Sequence, residues 1–362
     1  MTSTGKKTPG YRPERILVIR TDRIGDVVLS TPVLTALRQA FPSAFIAMMV
    51  RPYTRELVSG HPHADEILLD DGSGEHAGLA GFFRLLRLVR SSRFDTVLLL
   101  HPSLRLALLC FLAHIRHRTG TGYRAYSFLF NHRLFHHRRK SGRHELDLNL
   151  DLARALGAPL DHIGFYLHIP EEAHRAVASR LEELGISPGS GFVVLHPGSG
   201  GSAMDWPLSG FAILADRIQE ELSLAIVITG NKAEAPLVDR LCSMMQSKPK
   251  RLDGALSIKE LLALLSRAHL LVANSTGPLH MAVAVGCPVV GLYCPLAACA
   301  PVRWGPYGHL DSVLTPPLPA CGKCTGERCA HSNCMELITS DRVFAKVKEQ
   351  LLNSAVIPPG KT

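Results

Sequence analysis

The sequence predicts an α/β protein with two doubly wound domains, each built on a parallel sheet. Short apolar runs of strand length alternate with helical stretches, which is the pattern of parallel βαβ units. This alternation restarts near residue 190, and 362 residues suit two domains of ordinary size. We expect a flexible tail at 1–13, domains at 14–168 and 169–338, and a terminal helix and tail at 339–362.

In the first half, buried-type strands are expected where apolar residues cluster between turn residues. Thr31-Pro32 suits the start of a fresh helix, which would leave Asp26 on a short turn. The predicted strands are 15–20, 44–50, 66–69 and 96–100. A turn is predicted at 21–26 and a helical stretch from there to about 40, with further helices at 79–90 and 146–156.

In the second half, the same alternation follows a linker strand at 164–170. The predicted strands are 192–195, 224–229, 270–273 and 289–293, and the predicted helices are 171–184, 208–221, 258–266, 278–285 and 341–352. Ligands of such folds bind at the carboxyl ends of the strands, so a cleft between the two domains is the expected site.

Composition excludes several classes of protein. With 46% hydrophobic and 20% charged residues, the chain is too apolar to be disordered as a whole. No uncharged apolar run reaches about 18 residues, and the polar residues 1–13 show no secretory signal. We therefore expect a cytoplasmic protein whose nine cysteines stay reduced.

The net charge of +9 is concentrated between Arg84 and Arg143, where Asp95 is the only acid. Such a segment suits a phosphate-rich or carboxylate-rich partner or an anionic membrane surface. A solvated basic face without any partner is the plainer alternative. Nucleic acid is not expected, because the chain shows no zinc-finger, RNP or helix-turn-helix signature.

The most informative segment is 271–293, which reads as strand, polar turn, helix and strand. The turn is Asn274-Ser-Thr-Gly277, and Pro278 suits the first helical turn. Such a turn presents backbone N–H groups and the positive end of the helix dipole, which together can bind a diphosphate without a lysine. An ordinary βαβ crossover with a good cap would show the same spacing.

The turn after the first strand offers a candidate base. Only Gly25 is present where a dinucleotide fingerprint needs three glycines. Asp26 stands where this strand meets the expected cleft, and a partly desolvated aspartate there could accept a proton from a substrate hydroxyl. Asp22 competes for that role, and helix N-capping is the structural alternative for Asp26.

These segments resemble glycosyltransferase family 9, the heptosyltransferases that build the inner core of lipopolysaccharide. The matching pieces run in family order at 23–34, 196–207, 227–234, 274–280 and 289–295. The resemblance implies a GT-B fold, with two Rossmann-like domains facing a cleft. It places the acceptor on the first domain and the nucleotide-sugar on the second, and it implies inverting transfer that needs no metal.

The family's functional roles can be carried over by position. Asp26 would be the general base that takes the proton from the acceptor hydroxyl as it attacks the anomeric carbon. A solvent-exposed acid at a helix start is the alternative for Glu234. The donor-binding residues that the resemblance implies are Ser199, Gly200, Gly201 and Ser202 in a phosphate loop, Glu234 at ribose or sugar hydroxyls, and Ser275, Thr276, Gly277 and His280 at the diphosphate.

Two positions depart from the family pattern. Met204-Asp205 stand where the well-studied members carry a lysine that contacts the diphosphate, and Ser275 stands where they carry an aspartate. ADP-heptose is the expected donor, and another nucleotide-sugar or a protein acceptor is the alternative. Because a cation and an anion are both absent, a catalytically silent nucleotide-sugar-binding protein is the alternative from a different class.

The expected acceptor is an anionic molecule of the lipid A–core type. Its candidate contacts in the basic segment could also hold the enzyme against the inner membrane; they are Arg124, Arg133, Arg138, Arg139 and Lys140. No cofactor is expected for catalysis. A cysteine cluster has spacing that suits a structural zinc or iron ion, with a reduced, metal-free loop as the alternative; its members are Cys321, Cys324, Cys329 and Cys334.

Overall fold

The computed structural model describes residues 11–138, 141–160, 163–324, 331–332 and 334–356, with side chains up to residue 353. The chain divides into two compact units, Met1–His168 and Ile169–Thr362. Each unit is an α/β layer structure around a parallel sheet of six strands.

The sheet of the first unit has the strand order β3-β2-β1-β4-β5-β6, and all neighbouring strands pair in parallel. Its strands are β1 (Arg15–Ile19), β2 (Phe45–Val50), β3 (Glu66–Leu69), β4 (Thr96–Leu99), β5 (His117–Thr121) and β6 (His132–Leu134). Its helices are α1 (Ile24–Val28), α2 (Thr31–Ala40), α3 (Arg55–Val58), α4 (Gly78–Ser91), α5 (Leu104–Leu112) and α6 (Glu145–Ala155).

Helices α4 and α5 lie on the same face of this sheet. The chain steps in one direction across the sheet from β3 to β4 and from β4 to β5, and right-handed crossovers then place both helices on one side. Accordingly, Phe82 and Leu85 of α4 and Leu106 of α5 share one core cluster with Leu17 and Ile19 of β1.

The sheet of the second unit has the strand order β12-β11-β10-β7-β8-β9, also parallel throughout. Its strands are β7 (Phe192–His196), β8 (Ala225–Ile228), β9 (Lys250–Arg251), β10 (Leu270–Asn274), β11 (Val289–Leu292) and β12 (Val313–Leu314). Its helices are α7 (Glu171–Glu183), α8 (Leu208–Leu222), α9 (Ala235–Met244), α10 (Ile258–Leu265), α11 (Gly277–Ala284), α12 (Pro301–Trp304) and α13 (Ser340–Val356).

Helix α13 returns to complete the core of the second unit. It contacts α8, β10 and β11, and Val343, Phe344 and Val347 are buried in the same cluster as Val272 and Val290 of the sheet. Burying a side chain of this size contributes about 1.5–3 kcal/mol each. The sheet of the second unit is therefore covered by a helix formed more than 45 residues after β11 in the sequence.

The structure differs from the sequence prediction in a few elements. Residues 164–170 form no strand or helix, and β5, β6, β9 and β12 were not predicted. Asp26 lies within α1, a helix of five residues, and not on a turn. The fresh helix predicted to begin at Thr31 is present as α2.

Candidate active site

Polar side chains gather at the carboxyl ends of the central strands in both sheets. In the first sheet, the chain leaves the neighbours β1 and β4 toward opposite sides of the sheet, and β7 and β10 do the same in the second. Open parallel sheets bind their ligands at such switch points. Each unit therefore carries one candidate half-site.

In the first unit, a buried arginine organises three carboxylates. Arg20 directly follows β1 and is only 2% exposed. Its Nε donates to Asp22 at 2.7 Å, and its terminal nitrogens pair with Asp26 and, at 3.2 Å, with Glu145. It also donates to Asn149 Oδ1 at 3.3 Å. The position of the candidate base is thus fixed by a shared guanidinium.

Asp26 does not cap its helix. Arg23 is the N-cap residue of α1, and Asp26 lies in the first turn with its side chain 16% exposed. The backbone carbonyl of Asp26 accepts a hydrogen bond from the Ser30 hydroxyl at 2.7 Å. The capping alternative is therefore wrong, and the carboxylate is turned toward Arg20 instead.

The two aspartates of this cluster are separated in pKa. Burial raises the pKa of Asp26; Arg20 lowers it, but Asp22 and Glu145 raise it further, so the net direction is upward. Pairing with Arg20 alone would lower the pKa of Asp26, but this single cation is shared among three acids. Burial also opposes the ionisation of Asp22, yet Arg20 and His101 lower its pKa to about 2.

This separation distinguishes the roles of the two acids. His101 Nδ1 lies 3.0 Å from Asp22 Oδ2, so Asp22 has cationic or donor partners on both sides. Asp22 is therefore a fixed anion, and Asp26 is the more basic carboxylate. Pairs of titratable groups with divergent pKa values are typical of acid–base sites.

The basic segment reaches this cluster through Arg138. The Arg138 guanidinium donates to Glu145 and, at 3.1 Å, to Asn149 Oδ1. Both acceptors lie on α6 and also bind Arg20, so α6 joins the two arginines. Asn149 in turn donates to the Leu29 carbonyl at 3.3 Å, which fixes α6 against the end of α1.

The other predicted acceptor contacts are placed differently. Arg124 and Arg133 are exposed, and the Arg133 side chain donates to the carbonyl of Phe130 at 3.0 Å. Arg139 and Lys140 lie outside the described residues. Of the predicted acceptor contacts that the structure describes, Arg138 is the one that joins the cluster around Arg20, through Glu145 and Asn149.

In the second unit, the loop after β7 is open and rich in glycine. Gly200 and Gly201 adopt φ values of +55° and +71°, and a Cβ at either position would meet nothing within 4 Å. The Ser202 hydroxyl donates to the Ser199 carbonyl at 2.7 Å and approaches the Ser275 carbonyl at 3.0 Å. One hydroxyl therefore joins the two loops that the sequence predicts to bind phosphate.

A buried asparagine fixes both loops to the sheet. Asn274 is fully buried at the end of β10; its Nδ2 donates to the Pro197 carbonyl at 2.6 Å, and its Oδ1 accepts from the Trp206 backbone N–H at 2.9 Å. Trp206 packs edge-on against Phe211 of α8 at 4.9 Å. The tryptophan thus supports the following helix.

The amino end of α11 is the second part of this half-site. Thr276 is its N-cap residue and makes no side-chain capping hydrogen bond, but its carbonyl accepts from the Leu279 N–H at 3.2 Å. Pro278 has no N–H, so the first-turn amide left for a ligand is that of Gly277. The helix dipole adds positive potential at this end. Ser275 differs, because its amide donates to the Leu292 carbonyl at 3.1 Å within the sheet. His280 is buried within α11.

Glu234 lies directly beside the glycine loop. Its side chain is 12% exposed and accepts from the Asn231 N–H at 2.8 Å, so it is not the solvent-exposed acid of the alternative interpretation. A Cβ at Gly198 would collide with the Glu234 carboxylate. His196 Nε2 lies 4.0 Å from Glu234 Oε2. Burial lowers the pKa of His196, and the charge of Glu234 partly opposes this shift.

Asp205, at the first departure from the family pattern, also lies near this loop. The residue is exposed overall, but burial of its carboxylate raises the pKa of Asp205; hydrogen bonds from Ser199 lower it and the charge of Glu234 raises it. Two acids therefore border the loop. For a phosphate to bind here, attraction from backbone amides and the α11 dipole would have to offset these two acids.

The cysteine cluster is described only in part. The Cys321 thiol contacts the Pro295 carbonyl at 3.5 Å, Cys324 lies 3.5 Å from the Met204 sulfur, and Cys334 is buried in the core of the second unit. Cys329 lies outside the described residues. Within the part of the chain that the structure describes, no three potential ligands are grouped as a metal site, and structural metal stays a prediction.

Sequence reasoning missed several residues of both half-sites. The missed residues are polar groups that follow a buried strand or lie on a helix far away in sequence. They are Arg20, His101, Glu145, Asn149 and Asn274, whose role in anchoring the two loops was not predicted. A signal for Arg20 and Asn274 was present, because each is the first polar residue at the carboxyl end of an apolar strand.

Comparison with known proteins identifies the same family by a family model and by individual relatives. The model of glycosyltransferase family 9 (heptosyltransferase) matches residues 82–334. The chain is 28% identical to lipopolysaccharide heptosyltransferase 2 of Salmonella typhimurium, over 83% of this chain and 87% of that protein. It is 24% identical to the lipopolysaccharide core heptosyltransferase OpsX of Haemophilus influenzae, over 84% of each.

Solved structures share the fold. A family 9 glycosyltransferase from Veillonella parvula superposes with a TM-score of 0.81 at 24% identity, covering 94% of this chain and 97% of that one. The ADP-heptose lipopolysaccharide heptosyltransferase II of Escherichia coli superposes with a TM-score of 0.73 at 22% identity, covering 94% and 99%.

Proposed function

The chain belongs to glycosyltransferase family 9, and from this premise we propose that it moves a heptose from ADP-heptose to an anionic acceptor of the lipopolysaccharide core type. Its fold is GT-B, with two Rossmann-like units, as the sequence predicted. The relatives with the same fold and similar sequence are named as lipopolysaccharide heptosyltransferases, which supports the choice of sugar and acceptor.

The observation that carries the proposal is the geometry of the Arg20 cluster, in which Asp26 is largely buried and shares Arg20 with Asp22 and Glu145; burial and these two acids raise the pKa of Asp26. In the proposed inverting displacement, Asp26 accepts the proton of an acceptor hydroxyl while that oxygen forms its bond to the anomeric carbon. The bond from the anomeric carbon to the diphosphate oxygen breaks, and ADP leaves with the negative charge. A buried carboxylate of raised pKa suits this base role at neutral pH.

The second unit would bind the donor. The developing charge on the leaving diphosphate needs preorganised donors, and the backbone amides of Gly200, Gly201 and, at the start of α11, Gly277 can supply them. Gly200 and Gly201 keep this surface free of side chains. Glu234 is placed to accept hydrogen bonds from hydroxyls of the ribose or the sugar. No residue in this proposal requires a bound metal.

Acceptor recognition would use the basic segment, with Arg138 as the contact nearest the base. Arg138 already pairs with Glu145, which also pairs with Arg20. A chain of three ion pairs, Arg138–Glu145, Glu145–Arg20 and Arg20–Asp26, would therefore connect an acceptor phosphate at Arg138 to the base. Arg124, Arg133, Arg139 and Lys140 remain proposed acceptor contacts.

A donor screen tests this function directly. Purified protein would be incubated with ADP-heptose, and separately with other nucleotide-sugars, with and without a core-type acceptor, and release of nucleoside diphosphate would be measured. We expect acceptor-dependent release with ADP-heptose. Donor binding without release in any combination would instead identify a silent nucleotide-sugar-binding protein.

We predict that Gly201→Val weakens donor binding. A β-branched side chain at φ +71° strains the backbone and fills the open space of the loop. The matched control is Gly189→Val, because Gly189 has φ +85°, also with nothing within 4 Å of a Cβ. In thermal-shift titrations, the Gly201 variant should need at least about tenfold more ADP than the wild type for the same shift. This corresponds to a loss of about 1.4 kcal/mol in binding free energy. Equal loss in both variants would contradict the loop assignment.

We predict that Glu145→Gln moves the acid limb of the pH–rate profile to lower pH. Asp26 must be unprotonated to act, so activity is present above its pKa and is lost as pH falls through it. Because the charge of Glu145 raises the pKa of Asp26, its removal should lower that pKa. The readout is kcat/KM against pH.

The control for this variant is Asp151→Asn. Asp151 lies on the same helix α6 and is also buried, but it pairs with Arg143 and Arg154 and not with Arg20. Its acid limb should stay at the wild-type pH. A shift of equal size in both variants would show that the effect comes from disturbing α6 and not from the charge at Asp26.

A further inference from the structure

The outer surface of α4 and α5 is unusually apolar for an exposed helical layer. On α4, Leu79 is 80% and Phe83 is 58% exposed, and on α5 Leu104 is 57% exposed. Leu108 and Phe111 of α5 are also exposed, at the i+4 and i+7 positions from Leu104, so they lie along one side of that helix. Contiguous exposed apolar side chains of this size mark an interaction surface.

The two helices present these side chains on one layer. Both lie on the same face of the first sheet, and their inward residues share one core cluster, so their opposite sides form a common outer surface. We call this surface the α4–α5 face. Its apolar members are Leu79, Phe83, Leu104, Leu108 and Phe111.

The charged residues of α4 and α5 themselves are all arginines. Arg84, Arg87 and Arg90 are exposed on α4, and neither α4 nor α5 contains an acidic residue. Two acids outside these helices pair with their arginines: the buried Asp70 lies 2.6 Å from Arg105 of α5, and Glu75 lies 3.6 Å from Arg84 in a largely exposed pair that solvent screens strongly. Apolar side chains next to arginines on a helix are the composition of interfacial membrane helices.

We propose that the α4–α5 face docks on an anionic lipid bilayer. Leucine and phenylalanine side chains enter the boundary between headgroups and acyl chains, while the arginines contact lipid phosphates. Within the described residues, no helix is long and apolar enough to cross a membrane, so the contact is interfacial. A neutral or purely apolar partner would not account for arginines without acids on the same helix.

The α4–α5 face and the candidate base are found at the same edge of the first sheet. Leu104 follows His101 by three residues, and His101 contacts Asp22 at the carboxyl end of the first sheet. The α4–α5 face therefore begins at the edge of the sheet that holds Asp26. Docking there would bring a lipid-borne acceptor to this edge, but the docking itself depends on neither donor nor acceptor.

The first test is sedimentation with vesicles that contain no acceptor, made of phosphatidylcholine with or without phosphatidylglycerol. The full chain should bind the anionic vesicles, more weakly as salt rises. The double variant Leu79→Ser, Phe83→Ser should partition at least about tenfold less at any one salt concentration. Ile213→Ser is the matched control, since Ile213 is 51% exposed on α8 of the other unit.

The second test needs no disruptive variant. Phe83→Trp should show a blue-shifted emission and quenching by brominated lipids on anionic vesicles, whereas Ile213→Trp should show neither. The two native tryptophans, Trp206 and Trp304, both lie in the second unit and give a background that the unsubstituted protein measures. This test remains informative if the serine double variant fails to fold.

Two results would overturn the proposal. The first is unchanged vesicle binding in a folded Leu79→Ser, Phe83→Ser protein together with no lipid quenching at residue 83. The second is a wild-type dimer, measured by sedimentation, that the double variant converts to a monomer without any effect on vesicle binding, because the face would then join two copies of the chain. Neither result bears on glycosyl transfer, which is measured separately with free acceptor.

Discussion

Asp26→Asn should reduce glycosyl transfer by about 10²–10⁴-fold, the range expected when a general base is removed. Asparagine keeps the size of the side chain and can still accept a hydrogen bond from Arg20, but it cannot take the proton of the acceptor hydroxyl. The measurement is acceptor-dependent release of ADP under saturating donor. The thermal shift produced by ADP should not change, because the proposed donor loops belong to the second unit.

Stability gives this prediction a second readout. A pKa raised in the folded state means that ionised Asp26 costs stability at neutral pH, and that the cost disappears as pH falls through the folded pKa. Asp26→Asn should therefore leave the melting temperature unchanged or slightly higher. A loss of activity accompanied by a clear loss of stability would indicate a structural role.

Asp22→Asn is the comparison variant, because Asp22 is the competing candidate. With a pKa of about 2 and partners on both sides, Asp22 is a poor proton acceptor, and its loss should reduce kcat less than the loss of Asp26. If Asp22→Asn abolished transfer while Asp26→Asn retained most of it, the assignment of the base would be reversed.

Arg20→Met should destabilise the first unit by about 3–5 kcal/mol, because removing one partner of a buried ion pair leaves uncompensated charge. Methionine fills a similar volume, but Asp26, Asp22 and Glu145 would remain buried around it. Arg138 would be the remaining cation at Glu145. Denaturant unfolding followed by far-UV circular dichroism measures the change in the free energy of unfolding.

The location of the tryptophans sharpens this experiment. Both lie in the second unit, so tryptophan fluorescence reports that unit while circular dichroism reports the whole chain. We expect an early dichroism transition without a matching early fluorescence transition. The control is Arg251→Met. The Arg251 side chain also pairs with two carboxylates, those of Asp239 and Asp253, but it is 40% exposed. Its replacement should therefore lower the free energy of unfolding by about 1 kcal/mol or less. Equal costs would contradict the importance of burial at Arg20.

The architecture was largely predictable because each central strand is a continuous apolar run. Ile16 to Ile19 and Leu270 to Ala273 are fully buried, and such runs alternate with helices along both halves. The edge strands were missed because β5 and β6 carry His117, Arg118 and Arg133, which do not form an apolar run. Residues 164–170 were predicted as a strand although they belong to neither sheet. A local sequence does not distinguish an isolated segment from one that pairs within a sheet.

The candidate site was predictable only where its residues are neighbours in sequence. The loop at 199–202 and the turn at 275–277 could be read from local glycine and helix-start patterns. Glu145 lies 125 residues from Arg20, and no local pattern relates them. Sequence therefore identified Asp26 through its place after the first strand and through the family resemblance, but the buried cations and anions that set its pKa required the structure.

The late position of α13 has a consequence for synthesis on the ribosome. The first unit can close its sheet once α6 has emerged, whereas the second cannot cover Val272 and Val290 until Phe344 and Val347 have been translated. Domains generally fold as units while the chain grows. The nascent second half should therefore be protease-sensitive until its last helix leaves the exit tunnel, at a stage when the first half already resists digestion.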